Sequence, residues 1–152
     1  MATTFKINYA ANATPIEAIQ ATDTSNVASI VHSSIDKSFG GNKLLSCGTT
    51  STHVKYKDYT TTDAYVTLEH ANIMNDAGIN CDFILVKIRE AGSSGTPDVV
   101  ISLNASTDHI KLQNIGDVCL LPLANVAGET IAFKSSGATE LSKVDILIGE
   151  VE

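Results

Sequence analysis

This chain has no tryptophan, and aromatics supply only 5% of its 152 residues. Sugar-binding faces use large aromatic rings as apolar platforms, so that scarcity weighs against lectin and glycosidase readings. Basic residues are also few: ten Lys and Arg against seventeen Asp and Glu, for a net charge of −7 and a pI near 4.9. Nucleic-acid binding needs clustered cations that displace counterions, so no nucleic-acid partner is expected. The one local basic run, Lys55-Tyr56-Lys57, is closed at once by Asp58 and reads as a solvated strand face. Apolar runs fall short of the ~18 residues of a membrane span, and no membrane partner is expected. The opening Met-Ala-Thr-Thr-Phe-Lys-Ile-Asn shows no charged segment leading into an apolar one, so no Sec leader is expected. Without a leader, the sequons Asn12-Ala13-Thr14 and Asn104-Ala105-Ser106 carry little weight.

Cysteine is sparse and oddly counted. Cys47, Cys81 and Cys119 share no C-x-x-C spacing, which makes a poor disulfide framework and a poor zinc site. Cys81 and Cys119 sit in or beside apolar strands, where a thiol behaves as a small hydrophobe, and a reducing site of synthesis is expected. The motifs of catalysis are missing as well: there is no G-x-S-x-G elbow, Walker loop, dinucleotide fingerprint or D-x-D-x-D-G calcium loop. Gly92-Ser93-Ser94-Gly95 leads into Thr96-Pro97-Asp98 and a strand, where a phosphate site would need a helix, so it reads as a hairpin loop. His32, His53, His70 and His109 are isolated in sequence. In Glu69-His70 and Asp108-His109 the two residues are neighbours and point to opposite faces of a strand. A cupin-like metal enzyme would need His53, His70 and His109 to converge from different strands. The expectation is no catalytic residue, no metal and no cofactor.

What remains is a packing pattern. A hydrophobic share of 43% supports a core, while charged residues make up only 18%, below the roughly 25% of ordinary globular chains. Thr, Ser, Asn and Ala fill the difference, and such a surface packs against copies of itself with few charges to desolvate. From about Tyr65 the chain alternates with period two: Ile84, Val86 and Ile88 against Phe83, Leu85 and Lys87, then Val144, Ile146 and Ile148 against Asp145, Leu147 and Gly149. Strands are predicted near Tyr65–His70, Cys81–Arg89, Val99–Leu103, His109–Leu112, Val118–Leu123, Thr130–Phe133 and Lys143–Gly149. That spacing predicts an all-β fold, a β-sandwich of jelly-roll or immunoglobulin-like type, over residues 63–152. Its predicted core is Ile84, Val86, Ile88, Ile101, Leu103, Leu120, Phe133, Ile146 and Ile148. Pro122 cannot donate to a ladder, so its strand is either an edge or ends there.

Residues 1–62 read as an N-terminal arm, partly helical or extended. Phe5, Ile7 and Tyr9 suggest one strand, and Val54 with Tyr56 suggest another. Thr14-Pro15-Ile16-Glu17 has the form of a helix start with a capping box. Val27, Ile30, Val31 and Ile35 fit a helical stripe, yet their β-branching keeps a strand equally open. Ser38-Phe39-Gly40-Gly41-Asn42 reads as a turn or hinge.

The strand Cys81–Arg89, the Gly92–Gly95 loop, Val99-Val100-Ile101-Ser102-Leu103-Asn104, Gly116-Asp117-Val118-Cys119-Leu120-Leu121-Pro122-Leu123 and the terminal Lys143–Gly149 strand make Arg89–Glu152 resemble the small β-sandwich structural proteins of tailed-bacteriophage virions. The pattern is similar to that of capsid decoration, or cement, proteins. The resemblance implies a protein on the capsid surface of a virion assembled in the host cytoplasm. It implies binding to the major capsid protein lattice, reinforcement of the head, and a homo-oligomer with the trimer favoured. On this reading Phe5, Ile7, Tyr9, Ile16 and Ile19 are the expected contact residues, because a short polar-flanked segment can hardly bury them within itself. An extra strand folded onto the same sandwich is the equal alternative. A tail-fibre or receptor-binding domain that holds a host glycan on the loops Gly92–Asp98 and Ala124–Glu129 is the alternative function.

Overall fold

The computed structural model describes residues 4–13, 16–20, 27–31, 39–48 and 53–151, with backbone alone at 16–20, 27–31 and 39. Twelve β-strands and no α-helix occur among the described residues. The chain forms two compact units, Met1–Ile7 with Leu45–Glu152, and Asn8–Leu44.

In the smaller unit β2 (Ile16–Gln20) pairs antiparallel with β3 (Val27–Val31), placing Ile16 opposite Val31 and Gln20 opposite Val27. The helix start expected at Thr14 is thus replaced by strand from Ile16 on; Thr14 and Pro15 lie outside the described residues. Five residues are too few to nucleate a stable helix, whereas pairing with the β-branched Val27–Val31 segment gives their backbone a ladder. The stripe from Val27 is a strand as far as Val31, and Ile35 lies outside the described residues. A second ribbon pairs β1 (Lys6–Ala13) with β4 (Phe39–Ser46). The expected hinge at Phe39–Asn42 is therefore strand, with Ser38 outside the described residues. A side chain at Gly40 would meet the Asn12 amide, which explains glycine inside that strand.

The larger unit holds eight further strands: β5 (Val54–Thr60), β6 (Val66–Thr67), β7 (Asn80–Glu90), β8 (Val99–Ser102), β9 (Ile110–Leu112), β10 (Val118–Ala127), β11 (Ala132–Lys134) and β12 (Lys143–Gly149). They pair as one long hairpin: β8 with β9, β7 with β10, β6 with β11 and β5 with β12, all antiparallel. The hairpin is then rolled up, so that β12 also pairs with β7, and β11 with β8. Two four-stranded sheets result, β10-β7-β12-β5 and β6-β11-β8-β9. This nesting is a jelly roll, which decides between the two sandwich types left open by strand spacing. β5, grouped with the arm by sequence, is a strand of the core sheet. The Gly92–Gly95 loop crosses from one sheet to the other, where a hairpin was expected.

Period two sorts the faces. Ile84, Val86 and Ile88 stand opposite Ile148, Ile146 and Val144. With Val99, Ile101, Leu112 and Phe133 of the other sheet they form one buried cluster. Leu103, half-buried just past β8, packs against that cluster, whereas one expected core residue lies elsewhere: Leu120 registers with Leu85 on the outward face.

The edges are blunted. β10 is an edge strand, as Pro122 suggested, but it runs past the proline through a register shift between Pro122 and Val126. There Asn125 adopts φ 55°, and its N–H donates to Asp82 Oδ1 at 3.2 Å. On the opposite edge Lys55 and Lys57 register with Ile148 and Ile146 on the core-facing parity of β5, Lys55 half-buried and Lys57 reaching solvent, while Tyr56 between them is exposed on the outward face. Lys55 is ion-paired with Asp76. Inward-pointing charge on an edge strand discourages pairing with a foreign strand.

Gly92 tests the inter-sheet crossing. A side chain there would fall on the backbone of Leu141, whereas nothing lies within 4 Å of a side chain at Gly41. Gly92→Ala should lower stability by about 1–3 kcal/mol in urea unfolding, because backbone must shift to admit the methyl group. Gly41→Ala should be near neutral in the same measurement.

Candidate functional site

One end of the roll gathers buried polar groups that are far apart in sequence. Thr61 follows β5, Asp98 precedes β8, Ser135 follows β11 and Ser142 precedes β12, so the topology brings four strand ends together. Thr61, Ser135 and Ser142 are fully buried and Asp98 is 7% exposed. Thr61 Oγ1 lies 2.5 Å from Ser135 Oγ and accepts the Ser142 N–H at 2.9 Å. The Ser135 and Ser142 hydroxyls both donate to the Glu140 carbonyl, at 3.1 and 2.9 Å. Asp98 N–H donates to Ser142 Oγ at 3.3 Å. On the Asp98 side chain, Oδ2 accepts from Ser136 Oγ at 2.5 Å and from Lys111 Nζ at 2.9 Å, while Oδ1 is buried without a partner.

A carboxylate, three serines and an ammonium invite a catalytic reading, but the bonding points to a fastening. Serine nucleophiles are commonly activated by an imidazole or amine base held against the hydroxyl. Here the hydroxyls of Thr61, Ser135 and Ser142 are bonded to backbone or to each other, and Ser136 donates to a carboxylate that Lys111 already neutralises. The knot ties loop backbone at 135–142 to the ends of β5 and β8. No sequence signal foretold it, because a lone Ser or Thr beside a strand reads the same whether buried or exposed.

The other reactive side chains stay apart. His53 Nδ1 lies 2.9 Å from the Cys47 carbonyl oxygen, while His70 Nδ1 and His109 Nδ1 accept from the N–H groups of Asn72 and Leu103 at 3.1 and 3.2 Å. His32 lies outside the described residues. Among the described residues no three His, Cys, Asp or Glu side chains come within reach of one ion. All three cysteines are free and buried. Burial pushes each thiol up; Cys81 reaches about 12, with the Glu150 and Asp82 carboxylates adding to the desolvation.

On the β6-β11-β8-β9 sheet Lys134 bridges two partners. Its ammonium sits 3.0 Å from Asp108 Oδ1 and 4.4 Å from the centre of the Tyr65 ring, and the Tyr65 hydroxyl also donates to Asp108. The Tyr65 hydroxyl, then the Lys134 ammonium, hold the Asp108 carboxyl below its ordinary range.

The five expected contact residues divide. Ile7 is buried at 6% exposure, and with Leu45 and Cys47 it lies against Gly149 of β12. Phe5 is half-buried, its N–H donating to the Gly48 carbonyl and its carbonyl accepting from Cys47 N–H. Tyr9 is half-buried. Ile16 and Ile19 stand in β2 opposite Val31 and Ala28, and their side chains lie outside the described residues.

Two measurements follow from these environments. Native protein should react slowly with a thiol reagent at pH 8 and should release three equivalents once denatured, since thiolate is the reactive form and burial suppresses it. Asp108 has a folded pKa below its unfolded value of 3.8, so its contribution is present above that value and lost as pH falls through the folded one. Asp108→Asn should therefore melt lower than the parent at neutral pH, and the two should converge in strong acid.

The chain matches no protein-family model, no curated protein and no solved structure.

Proposed function

We propose that this chain is a non-enzymatic structural protein of a virion, a decoration protein that binds the major capsid lattice of a tailed-phage head and associates with copies of itself. The observation that carries the reading is the division of labour within the chain. A sealed jelly roll with blunted edges forms one unit, and Asn8–Leu44 forms a second compact unit of paired strands. Jelly rolls recur in capsid proteins, where a stiff block with protected edges is useful. A second unit that reaches a neighbour adds contact area, and many weak contacts sum strongly in a repeating array. The low charge density of 18% suits surfaces that must lose water against other protein. Trimers are the expected order for a decoration protein of this kind, from the resemblance alone.

The loops of the receptor-binding alternative are fastened from within. Ser94 Oγ bonds Thr96, Pro97 and Asp98 are buried, and Asn125 N–H is held by Asp82. Ser93, Ser94, Thr96, Asn125 and Glu129 stay exposed on them, but no aromatic ring stands among these residues to stack on a sugar.

Cryo-microscopy of the parent particle should show the roll on the outer head lattice. Replacing residues 14–38 with a short Gly-Ser turn should leave the melting temperature of the roll nearly unchanged. Head binding in cosedimentation should then fall at least about tenfold, as expected when one of several linked contacts is removed. Density at the tail tip, or micromolar binding on a glycan array, would replace this reading with the receptor-binding one.

A further inference from the structure

The outward face of the β10-β7-β12-β5 sheet carries an apolar row where a solvated sheet face would alternate to polar residues. Leu120, Leu85, Leu147 and Tyr56 follow one another across all four strands, each registered with the next. The leucines are half-buried, and Tyr56 is 62% exposed. On one side lies the row Pro122, Phe83, Gly149 and Val54, in which Gly149 sits beneath Ile7, Leu45 and Cys47. On the other side lies the row Val118, Lys87, Asp145 and Asp58, with Val118 at 50% exposure.

Charge on this face is split between its halves. Lys87 and Arg89 belong to β7, whereas Asp145 and Asp58 belong to β12 and β5. Arg89 is spent within the chain, 3.3 Å from Asp145 and 3.6 Å from Asp58. Lys87 is exposed and makes no ion pair among the described residues.

We propose that a second copy of this chain covers this face, related by a two-fold axis that runs along the strands between β7 and β12. The inference rests on the reading of the chain as a self-associating structural protein and adds a pairing surface, separate from the three-fold contact that the resemblance implies. Such an axis exchanges β7 with β12, and β10 with β5, and the copies meet at the two open rows while splaying apart at the row that Ile7 and Leu45 cap. Leu85 then meets Leu147 of the second copy, and Leu120 meets Tyr56. One row on, Lys87 meets Asp145 of the second copy, and the contact is made twice. An axis along the leucine row would instead set Lys87 over the Phe83 row, burying a cation against apolar groups that Ile7 and Leu45 already cap. Charge complementarity therefore selects the axis along the strands.

Four strands about 4.8 Å apart, with same-face residues about 6.8 Å apart, give two open rows a footprint of roughly 300 Å² per copy. Both copies together bury about half of the 1,200 Å² at which specific interfaces begin, so the contact is weak and reversible by itself. It is suited to chains that a lattice already holds close together.

Sedimentation across a micromolar-to-millimolar series tests the surface, with full-length protein. The average mass should climb towards twice its dilute value, and Leu85→Lys should abolish the climb. Lys87→Asp and Asp145→Lys each place like charges opposite, and each should weaken association by about tenfold with the fold intact by thermal melting. An equimolar mixture of those two variants should recover association, because every charged contact in the mixed pair is again opposite in sign. A pairing within one chain cannot produce that recovery. A wild-type mass that never climbs, or a mixture no heavier than its parts, overturns this surface and leaves the decoration reading standing. Density for the roll away from the head sinks the decoration reading and leaves the mixing result unchanged.

Discussion

The pairing of β12 with β7 is the constraint on which the rest of the roll depends. It joins the outermost strand of the long hairpin to an inner one, and without it the four nested pairs would be an open ribbon with no interior. Its register sets every face of the sheet. With Ile148 opposite Ile84 and Ile146 opposite Val86, all four side chains point into the cluster. A slip of β12 by one residue would turn Asp145 and Leu147 inward and bury a charge in place of Ile146 and Ile148. The register shift between Lys143 and Val144 leaves Arg89 out of the ladder, and from there its guanidinium reaches both Asp145 and Asp58.

Each end of the roll is closed by different chemistry. At one end the strand termini are tied by hydroxyls and a carboxylate, because loops that turn inward carry backbone groups which must find partners away from water. Near the end of β12 Gly149 has no side chain, and Ile7, Leu45 and Cys47 pack directly on it. Phe83, its cross-strand partner, is 1% exposed although it belongs to the outward face. The same face thus changes along the strand, from a row covered by the chain's own Ile7 to a row of leucines open in part to solvent. The uncovered part of that face is the surface proposed above for a second copy.

Strand positions in the second half were legible because alternation is a local property. The Lys143–Gly149 strand lies where the alternation of Val144, Ile146 and Ile148 placed it, and β7 extends the expected Cys81–Arg89 by one residue at each end. The first half misled for a physical reason. Thr14-Pro15-Ile16-Glu17 has the chemistry of a helix cap, but capping helps only a segment long enough to propagate, and the segment from Ile16 found a strand partner first. Gly40 and Gly41 read as a hinge because glycine punctuates most chains, yet both lie within β4, Gly40 beside the Asn12 side chain. The polar knot at Thr61, Asp98, Ser135 and Ser142 left no trace in sequence, since its members meet only after the hairpin has rolled.

The sequence by itself determined that the chain is built from short strands and which residues share a parity, because side-chain alternation needs no knowledge of neighbours. It also picked the inward parity of β7 and β12, where Ile84, Val86, Ile88, Ile146 and Ile148 are buried, but not that of β10, where Leu120 faces outward. β10 sets Leu120 against Cys119 and Leu121, so both of its faces are apolar. That choice, and with it the jelly-roll topology and the exposed leucine row, was made by pairings between strands as distant as β5 and β12. Such pairings depend on loop closure and on the fit of two sheets, and no local pattern encodes either.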